Sequence, residues 1–334
     1  MTNYENKQPR VSVVMCTYNG AAYLGAQLDS ILAQDLPPCE IIVQDDGSQD
    51  GTAALVEDYS RRHPCIRFVQ NGQRLGFNGN FAAALRRATG DFVAIADQDD
   101  IWFPQKLRRQ AEAIGGADLC FSAYYRDAAF SSAAECRVKV CPSGTLESLL
   151  FSNTIPGHTM LLRRSFLQRE GVLTDRFYYD WWLLVQAHLH GGVARTDEAL
   201  NWHRPHAGSA IAVLHRADRG GRPERPATWQ PYVCGWRDLL RLRREPVWQA
   251  FYGYLYDRTA GDDARLGLAH RLCGALLGRD GGIGRLCRLC LRHRALLYPS
   301  KGEPEWKNRL RAFCLPAIYA YRNGEFKSEK FQTP

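Results

Sequence analysis

Short apolar runs alternate with longer segments of helical periodicity over the first hundred residues. Val11-Ser-Val-Val-Met15 is followed by the polar stretch Cys16-Thr-Tyr-Asn-Gly20 and then by Leu24, Leu28, Ile31 and Leu32 at helical spacing. A strand, a loop and an amphipathic helix are expected there. Pro37-Pro38 stops the helix, Ile41-Ile42-Val43 makes a second strand, and Gln44-Asp-Asp-Gly-Ser-Gln-Asp-Gly51 is the loop after it. A helix through Leu55, Val56 and Tyr59 follows, then a third strand at Ile66-Arg-Phe-Val69 and a glycine-rich loop from Asn71 to Asn80. A helix from Phe81 to Thr89 and a fourth strand from Phe92 to Ala96 complete the alternation. The pattern predicts an α/β fold of Rossmann-like type, with right-handed crossovers, a mostly parallel sheet and helices on both faces. The loops after strands one, two and four then share one rim.

Leu119 to Tyr124 reads as a fifth strand, and 126–143 as a variable loop or hairpin. Thr145 to Phe151 reads as helix, His158 to Leu162 as strand, and Asp180 to His190 as a helix ending at Gly191-Gly192. The Arg/Gly/Pro content of 217–225 suggests a linker. Beyond it Trp236, Leu239 and Leu240, then Phe251 and Leu255, then Leu268, Leu272 and Leu276 recur at helical spacings. This divides the chain into a catalytic domain, 1–215, and a mainly helical region, 216–334.

The candidate chemistry begins with Asp97-Gln98-Asp99-Asp100, which follows an apolar strand and precedes Pro104, a residue suited to opening a helix. Ligands collect outside the carboxyl ends of strands in α/β sheets, and carboxylate oxygens suit hard divalent cations that also hold phosphates. A metal–diphosphate site is therefore expected there. Two further polar loops on the same rim strengthen that reading over a merely solvated acidic loop.

Charge adds a second region. The formal net charge of +8 hides an asymmetry: residues 1–210 hold 20 Lys/Arg against 23 Asp/Glu, while 211–334 hold 23 against 12. Every cation in 211–300 is arginine, which suits phosphate or an anionic membrane surface. The polar N-terminal residues lack the apolar core of a signal peptide, and no run reaches about 18 apolar residues, so a cytoplasmic, non-spanning protein is expected. The eleven cysteines form no regular framework, and Cys287-Arg-Leu-Cys290 has no second CxxC partner. Free thiols packed in the interior are expected rather than zinc or disulfides.

Taken together, the loops resemble the family 2 glycosyltransferases, inverting nucleotide-sugar enzymes of the GT-A fold, over roughly residues 10–210. Val11-Ser-Val-Val-Met-Cys-Thr-Tyr-Asn19 resembles the opening strand and nucleotide loop, Val43-Gln-Asp-Asp-Gly-Ser48 the second acidic loop, and Asp97-Gln-Asp99 the metal-binding DxD. Ala96-Asp-Gln-Asp-Asp-Ile-Trp102, with Asn153-Thr-Ile-Pro-Gly-His-Thr-Met160 and Tyr179-Asp-Trp-Trp182, is most similar to the bacterial rhamnosyltransferases that build surface polysaccharides. That branch often has a small residue or cysteine at His158 and a Tyr-Arg-x-His pattern where this chain has Trp202-His-Arg-Pro-His206.

The resemblance implies a divalent metal, Mn2+ or Mg2+, held by Asp99, with His206 completing the site or touching the diphosphate, and Asp97 near the ribose or the metal. Asp100 is expected to cap the next helix. Asp46, or its neighbour Asp45, would accept the imide N–H of uracil or thymine, with Thr17, Tyr18 and Asn19 lining the pocket. Arg74, Gly76 and Asn80 of the glycine-rich loop belong to the donor site, Arg74 near a phosphate. Asp180 is the candidate general base, read also as an N-cap. His158 is expected in the acceptor region, more as a satisfied buried histidine than as a ligand, and Trp181 and Trp182 in the same region pack the core on one side and leave the other to stack a sugar. The implied reaction moves a sugar, first rhamnose from dTDP-rhamnose, to a saccharide or lipid-linked saccharide at the inner face of the cytoplasmic membrane, the basic C-terminal region touching anionic lipid. UDP-hexose or UDP-N-acetylhexosamine is the alternative donor. A nucleotidyltransferase would show a glycine-rich basic loop after strand one, which Cys16-Thr-Tyr-Asn-Gly-Ala is not. No nucleic-acid partner is expected, since no recognised motif accompanies the charge.

Overall fold

Four apolar runs become the parallel strands β1 (Val11–Thr17), β2 (Glu40–Asp45), β3 (Ile66–Gln70) and β4 (Phe92–Ala96). β1 and β2 are buried along nearly their whole length because helices cover both faces of the sheet. The computed structural model describes residues 8–127, 129–130, 132, 134–175, 177–206, 229–298, 302 and 304–322. Among these, the remaining strands are β5 (Ile101–Trp102), β6 (Leu119–Tyr125), β7 (Lys139–Val140), β8 (Met160–Arg163) and β9 (Val193–Trp202). The nine form one sheet in the order β3-β2-β1-β4-β8-β6-β9-β5, with β7 paired to β6. Its longer ladders are parallel, and β8 enters antiparallel to both β4 and β6.

Register places the site. Met15 lies opposite both Val43 and Ala96, so the loops after β1, β2 and β4 leave the sheet at one level, as the alternation predicted. The helices of this unit are α1 (Ala21–Leu32), α2 (Thr52–Arg62), α3 (Gly76–Leu85) and α4 (Lys106–Ala113), and further along the chain α6 (Arg164–Leu167) and α7 (Tyr179–Leu189). α1 sends Leu24, Leu28 and Ile31 into a core with Val56, Tyr59 and the inward residues of β1, β2 and β4. A side chain as fully buried as Leu28 contributes roughly 1.5–3 kcal/mol.

By contacts the chain splits into Met1–Ser143 with Ile155–His206, and Gly144–Thr154 with Ala207–Pro334. The boundary expected at 215/216 and the linker expected at 217–225 lie outside the described residues. In the second unit α5 (Leu146–Leu149) starts with a capping box between Thr145 and Ser148. Tyr252 donates to the Leu150 carbonyl at 2.6 Å and pairs with Tyr319 at 2.7 Å, which ties residues 144–154 to this unit. The rest is helical: α8 (Gln230–Leu242), α9 (Pro246–Arg258), α10 (Gly267–Leu277), α11 (Gly282–Arg292), α12 (Arg294–Leu297), α13 (Glu305–Phe313) and α14 (Leu315–Arg322). All eleven cysteines are free, and burial raises the thiols of Cys287, to about 11, and of Cys290, so the CxxC is packing on α11. No helix among the described residues is long and apolar enough to cross a membrane.

Several expectations need correction. The loop from Asn71 to Asn80 is helical from Gly76 on, five residues earlier than expected. His158 sits in a 3-10 turn before β8, not in the strand. β9 was not foreseen, because Arg195, Asp197 and Glu198 interrupt its alternation where it is exposed. Leu240, placed with the core residues of its helix, is 51% exposed.

Candidate active site

The three rim loops are knitted together by side chains. Tyr18 N–H donates to Gln98 Oε1 at 3.0 Å, and Gln98 Nε2 donates back to the Tyr18 carbonyl at 3.2 Å. Asn19 has φ 49°, a left-handed conformation that asparagine tolerates. Its N–H donates to Ser48 Oγ and its Oδ1 accepts from Gln49 N–H, each at 2.8 Å. A Cβ on Gly20 would collide with Gln98, so the close approach of the first and third loops requires glycine there.

The two acidic residues after β2 have different jobs. Asp45 is fully buried and accepts four hydrogen bonds, from Thr17 Oγ1, Ser48 Oγ and the N–H groups of Gly47 and Ser48. That number fills a carboxylate. Asp46 accepts three, from Asn71 Nδ2 at 2.9 Å, Leu75 N–H at 2.7 Å and Gly76 N–H at 2.8 Å, and keeps capacity for one more donor. Asp46 also supplies the N-terminal cap that α3 lacks locally, which is why the helix begins at Gly76. Arg74 lies over the Tyr18 ring at 3.9 Å and is 3.9 Å from Asp46, beside this pocket. Asn80 is buried and bonds the Gln44 carbonyl and Asn71, a structural link between α3 and β2 rather than a free donor ligand.

After β4 the acidic loop meets the end of β9. Asp99 Oδ2 lies 2.6 Å from His206 Nε2, and both side chains keep some access to solvent. Arg204 donates to the Asp99 carbonyl at 3.1 Å and lies over Tyr23, whose ring packs on His206. Asp100 turns inward and caps no helix; α4 starts at Lys106 with no side-chain cap. Its carboxylate accepts from His203 Nδ1 at 2.9 Å and Asn201 Nδ2 at 3.1 Å. The same Asn201 amide lies 2.9 Å from His158 Nδ1, and that nitrogen is 3.2 Å from Asp100 Oδ2. Donor atoms of Asp97, Asp100, His158 and His203 all lie within 4.8 Å of one another, a group able to hold a cation. Burial and the neighbouring Asp100 and Asp99 carboxylates hold the Asp97 pKa well above the usual range. Burial opposes the charged form of His203, but Asp100 outweighs it and raises its pKa.

Beneath this group Lys106 is fully buried, donating to the His158 carbonyl at 3.2 Å and approaching Asn201 Oδ1 at 3.5 Å. Desolvation lowers its pKa from 10.5 to about 7, with Asp100 acting in the opposite sense. Between those values the unfolded chain binds more protons, so stability rises with pH through the window. The folded chain is expected to gain about 1–2 kcal/mol from pH 7 to pH 9 relative to Lys106→Met. Urea unfolding of both proteins at the two pH values checks this; parallel profiles would mean that Lys106 stays charged when folded.

Asp180 lies in the first turn of α7, one residue inside its start, and is not the N-cap. It accepts from Trp181 N–H at 2.7 Å and from the Gly157 N–H, yet burial dominates and raises its pKa to about 6. A Cβ at Gly157 would collide with the Tyr179 hydroxyl, so glycine lets that turn approach α7. Asp180 adds to the repulsion on Asp97, which places it beside the acidic loop. Trp181 and Trp182 are buried against Phe177 and offer no open face to a sugar; Trp182 Nε1 donates to the Gly171 carbonyl at 2.8 Å. His158, 2% exposed, belongs to the Asp100 network and not to an acceptor surface.

The site unites Thr17, Tyr18, Asn19, Asp45, Asp46, Arg74 and Gly76 at one end with Asp97, Asp99 and His206 at the other. Lys106, Asn201, His203, Arg204 and Gln98 were missed. His203 and Arg204 lie inside Trp202-His-Arg-Pro-His206 and Gln98 inside Asp97-Gln-Asp99, whereas Lys106 and Asn201 carried no local signal.

The fold is similar to that of GT-A glycosyltransferase structures. The structure superposes on S. aureus TarS 1–349 in complex with UDP-GlcNAc with TM-score 0.53 and 17% identity, covering 95% of this chain and 90% of that one. For the mannosyltransferase PcManGT of Pyrobaculum calidifontis, in complex with GDP-Man and Mn2+, the TM-score is 0.51 at 19% identity, covering 97% and 89%. Residues 12–169 match the model of glycosyl transferase family 2. The chain is 35% identical over 122 residues to the "putative teichuronic acid biosynthesis glycosyltransferase TuaG" of Bacillus subtilis, covering 36% of this chain and 47% of that one. The chain spans 34% and 59% of the length of two other curated relatives it matches.

Proposed function

We propose that the protein transfers a sugar from a nucleotide-sugar to an acceptor hydroxyl with inversion at the anomeric carbon. The observation that carries this is the Asp99–His206 pair, 2.6 Å apart on the rim where the β1, β2 and β4 loops meet. A carboxylate oxygen and an imidazole nitrogen brought together on the rim, both with some access to solvent, suit Mn2+ or a similar divalent ion. The deeper Asp97/Asp100/His158/His203 group suits it less, because Asp100 and His158 are enclosed while the Asp99 and His206 side chains keep access to solvent. Asp99 and His206 would hold the cation, which when bound would supply positive charge where a leaving diphosphate develops negative charge.

This chain's own residues do the rest. Asp46, with its spare acceptor capacity, takes the imide N–H of a uracil or thymine base, and Tyr18 with Arg74 flanks that base. Asp180 takes the proton of the acceptor hydroxyl as its oxygen bonds to the anomeric carbon and the diphosphate leaves with the electron pair of the broken bond. The burial that raises the Asp180 pKa makes it a stronger base at neutral pH.

The donor proposed first is dTDP-rhamnose, on the motif resemblance. UDP-N-acetylhexosamine is the second, on the likeness to a fold that binds UDP-GlcNAc. The acceptor is proposed to be a saccharide of a bacterial surface polysaccharide, in keeping with the teichuronic acid relative. We place that acceptor on a lipid at the inner face of the cytoplasmic membrane, with the basic second unit touching the bilayer. Calorimetric titration with dTDP-rhamnose, UDP-glucose and UDP-N-acetylglucosamine, each with and without manganese, tests the reading. Tight, manganese-dependent binding of one donor is expected; no heat from any donor with folded protein would overturn it.

A further inference from the structure

Two helices of the second unit are apolar on opposite sides. α8 buries Pro231, Gly235, Leu239 and Leu242 and packs on α14, so closely that a Cβ on Gly235 would strike the Ala317 backbone. Its other side carries Trp229, Val233 and Leu240, which are 59%, 61% and 51% exposed, with the half-buried Trp236 between them. Positions 229, 233, 236 and 240 follow one face of a helix. α13 repeats the arrangement: Asn308 and Ala312 point inward, while Trp306, Leu310 and Phe313 are 68%, 47% and 44% exposed. The two stripes adjoin, since the Trp236 and Phe313 rings lie 6.4 Å apart and Arg311 Nε reaches Tyr232 Oη at 3.3 Å.

A contiguous apolar patch of this kind, with two tryptophans at its limits, needs an occupant. Charge selects it. Arg237, Arg241 and Arg309 are exposed along the stripes, in a part of the sequence with 23 Lys/Arg against 12 Asp/Glu. A second copy of the same face would set like charges against each other. An anionic bilayer complements all three features: acyl chains for valine, leucine and phenylalanine, the interfacial layer for the tryptophans, and lipid phosphates for the arginines.

We propose that the α8–α13 face of the second unit docks on an anionic lipid bilayer through Trp229, Val233, Leu240, Trp306, Leu310 and Phe313. This gives the membrane association proposed above its surface. It rests on that reading for its purpose alone, because lipid binding is measured without any sugar donor.

The test is co-sedimentation of the full chain with phosphatidylcholine vesicles, with and without about a third of phosphatidylglycerol. The parent is expected to bind the anionic vesicles and to leave the neutral ones in solution. Trp306→Ser combined with Leu310→Asp should weaken binding at least tenfold, and Arg237→Glu combined with Arg309→Glu should do the same, with thermal midpoints unchanged because all four side chains are exposed. No binding by the parent, equal binding to both vesicle types, or full binding by both variants would overturn the proposal. So would a dimer in sedimentation that both variants dissociate, which would make the patch a self-association surface. Failure of the chain to bind any donor leaves this result untouched and counts against the catalytic reading only.

Discussion

Asp180→Asn is expected to lower kcat by about three orders of magnitude, within the range that general-base catalysis supplies, while the affinity for the nucleotide-sugar changes by no more than about twofold. Asparagine keeps an oxygen to accept the Trp181 N–H, so the start of α7 survives the change and the loss reports chemistry rather than folding. The parent's pH profile supplies an independent readout. Burial raises the Asp180 pKa to about 6, and the base works only when deprotonated. On that proposed role, activity is expected to be full well above pH 6 and to fall tenfold per pH unit below it, in the acid limb of kcat/KM. In the asparagine variant that limb disappears from the residual activity. Retention of more than a tenth of the parent's kcat, or an unchanged acid limb, would move the base to another residue.

Asp99→Ala is expected to erase the manganese dependence of donor binding and to cut transfer by roughly a hundred- to a thousandfold, the scale of losing electrostatic stabilisation at the leaving group. His206→Ala should act in the same direction and more weakly, because a water can replace one imidazole more readily than a charged carboxylate. Chelation of the parent should reproduce the Asp99→Ala affinity, and added manganese should rescue the chelated parent but not the variant. The pairing at 2.6 Å makes the two side chains one unit, so the double variant should be little worse than Asp99→Ala alone. A fully additive double variant, or manganese dependence surviving in Asp99→Ala, would shift the metal to the Asp97/Asp100/His158/His203 group.

What was legible beforehand followed from local pattern. The apolar runs at 11–15, 41–43 and 92–96 could only be buried strands once helical periodicity flanked them, and parallel order then put Thr17, Asp46 and Asp99 on one rim. His206 was legible as a companion of Asp99 because a histidine past the last strand of the domain can turn back to the rim. The remainder depended on partners distant in sequence. Asp100 precedes a helix and looks like its cap, yet His203 and Asn201, about a hundred residues later, draw it inward. Trp181 and Trp182 look like a sugar platform in isolation and are core residues because Phe177 and Gly171 cover them.

The sequence by itself determined the strand and helix order of residues 11–96, the rim and its acidic loops, because hydrophobic period and turn chemistry act within a few residues. Only the tertiary structure decided which of Asp45 and Asp46 keeps a vacant acceptor, why α3 begins at Gly76, how Lys106 comes to be buried beneath an acidic loop, and which helix faces of the second unit stay uncovered. Each of those outcomes is set by hydrogen-bond partners and burial contributed from elsewhere in the chain, and neither is written in the residues next door.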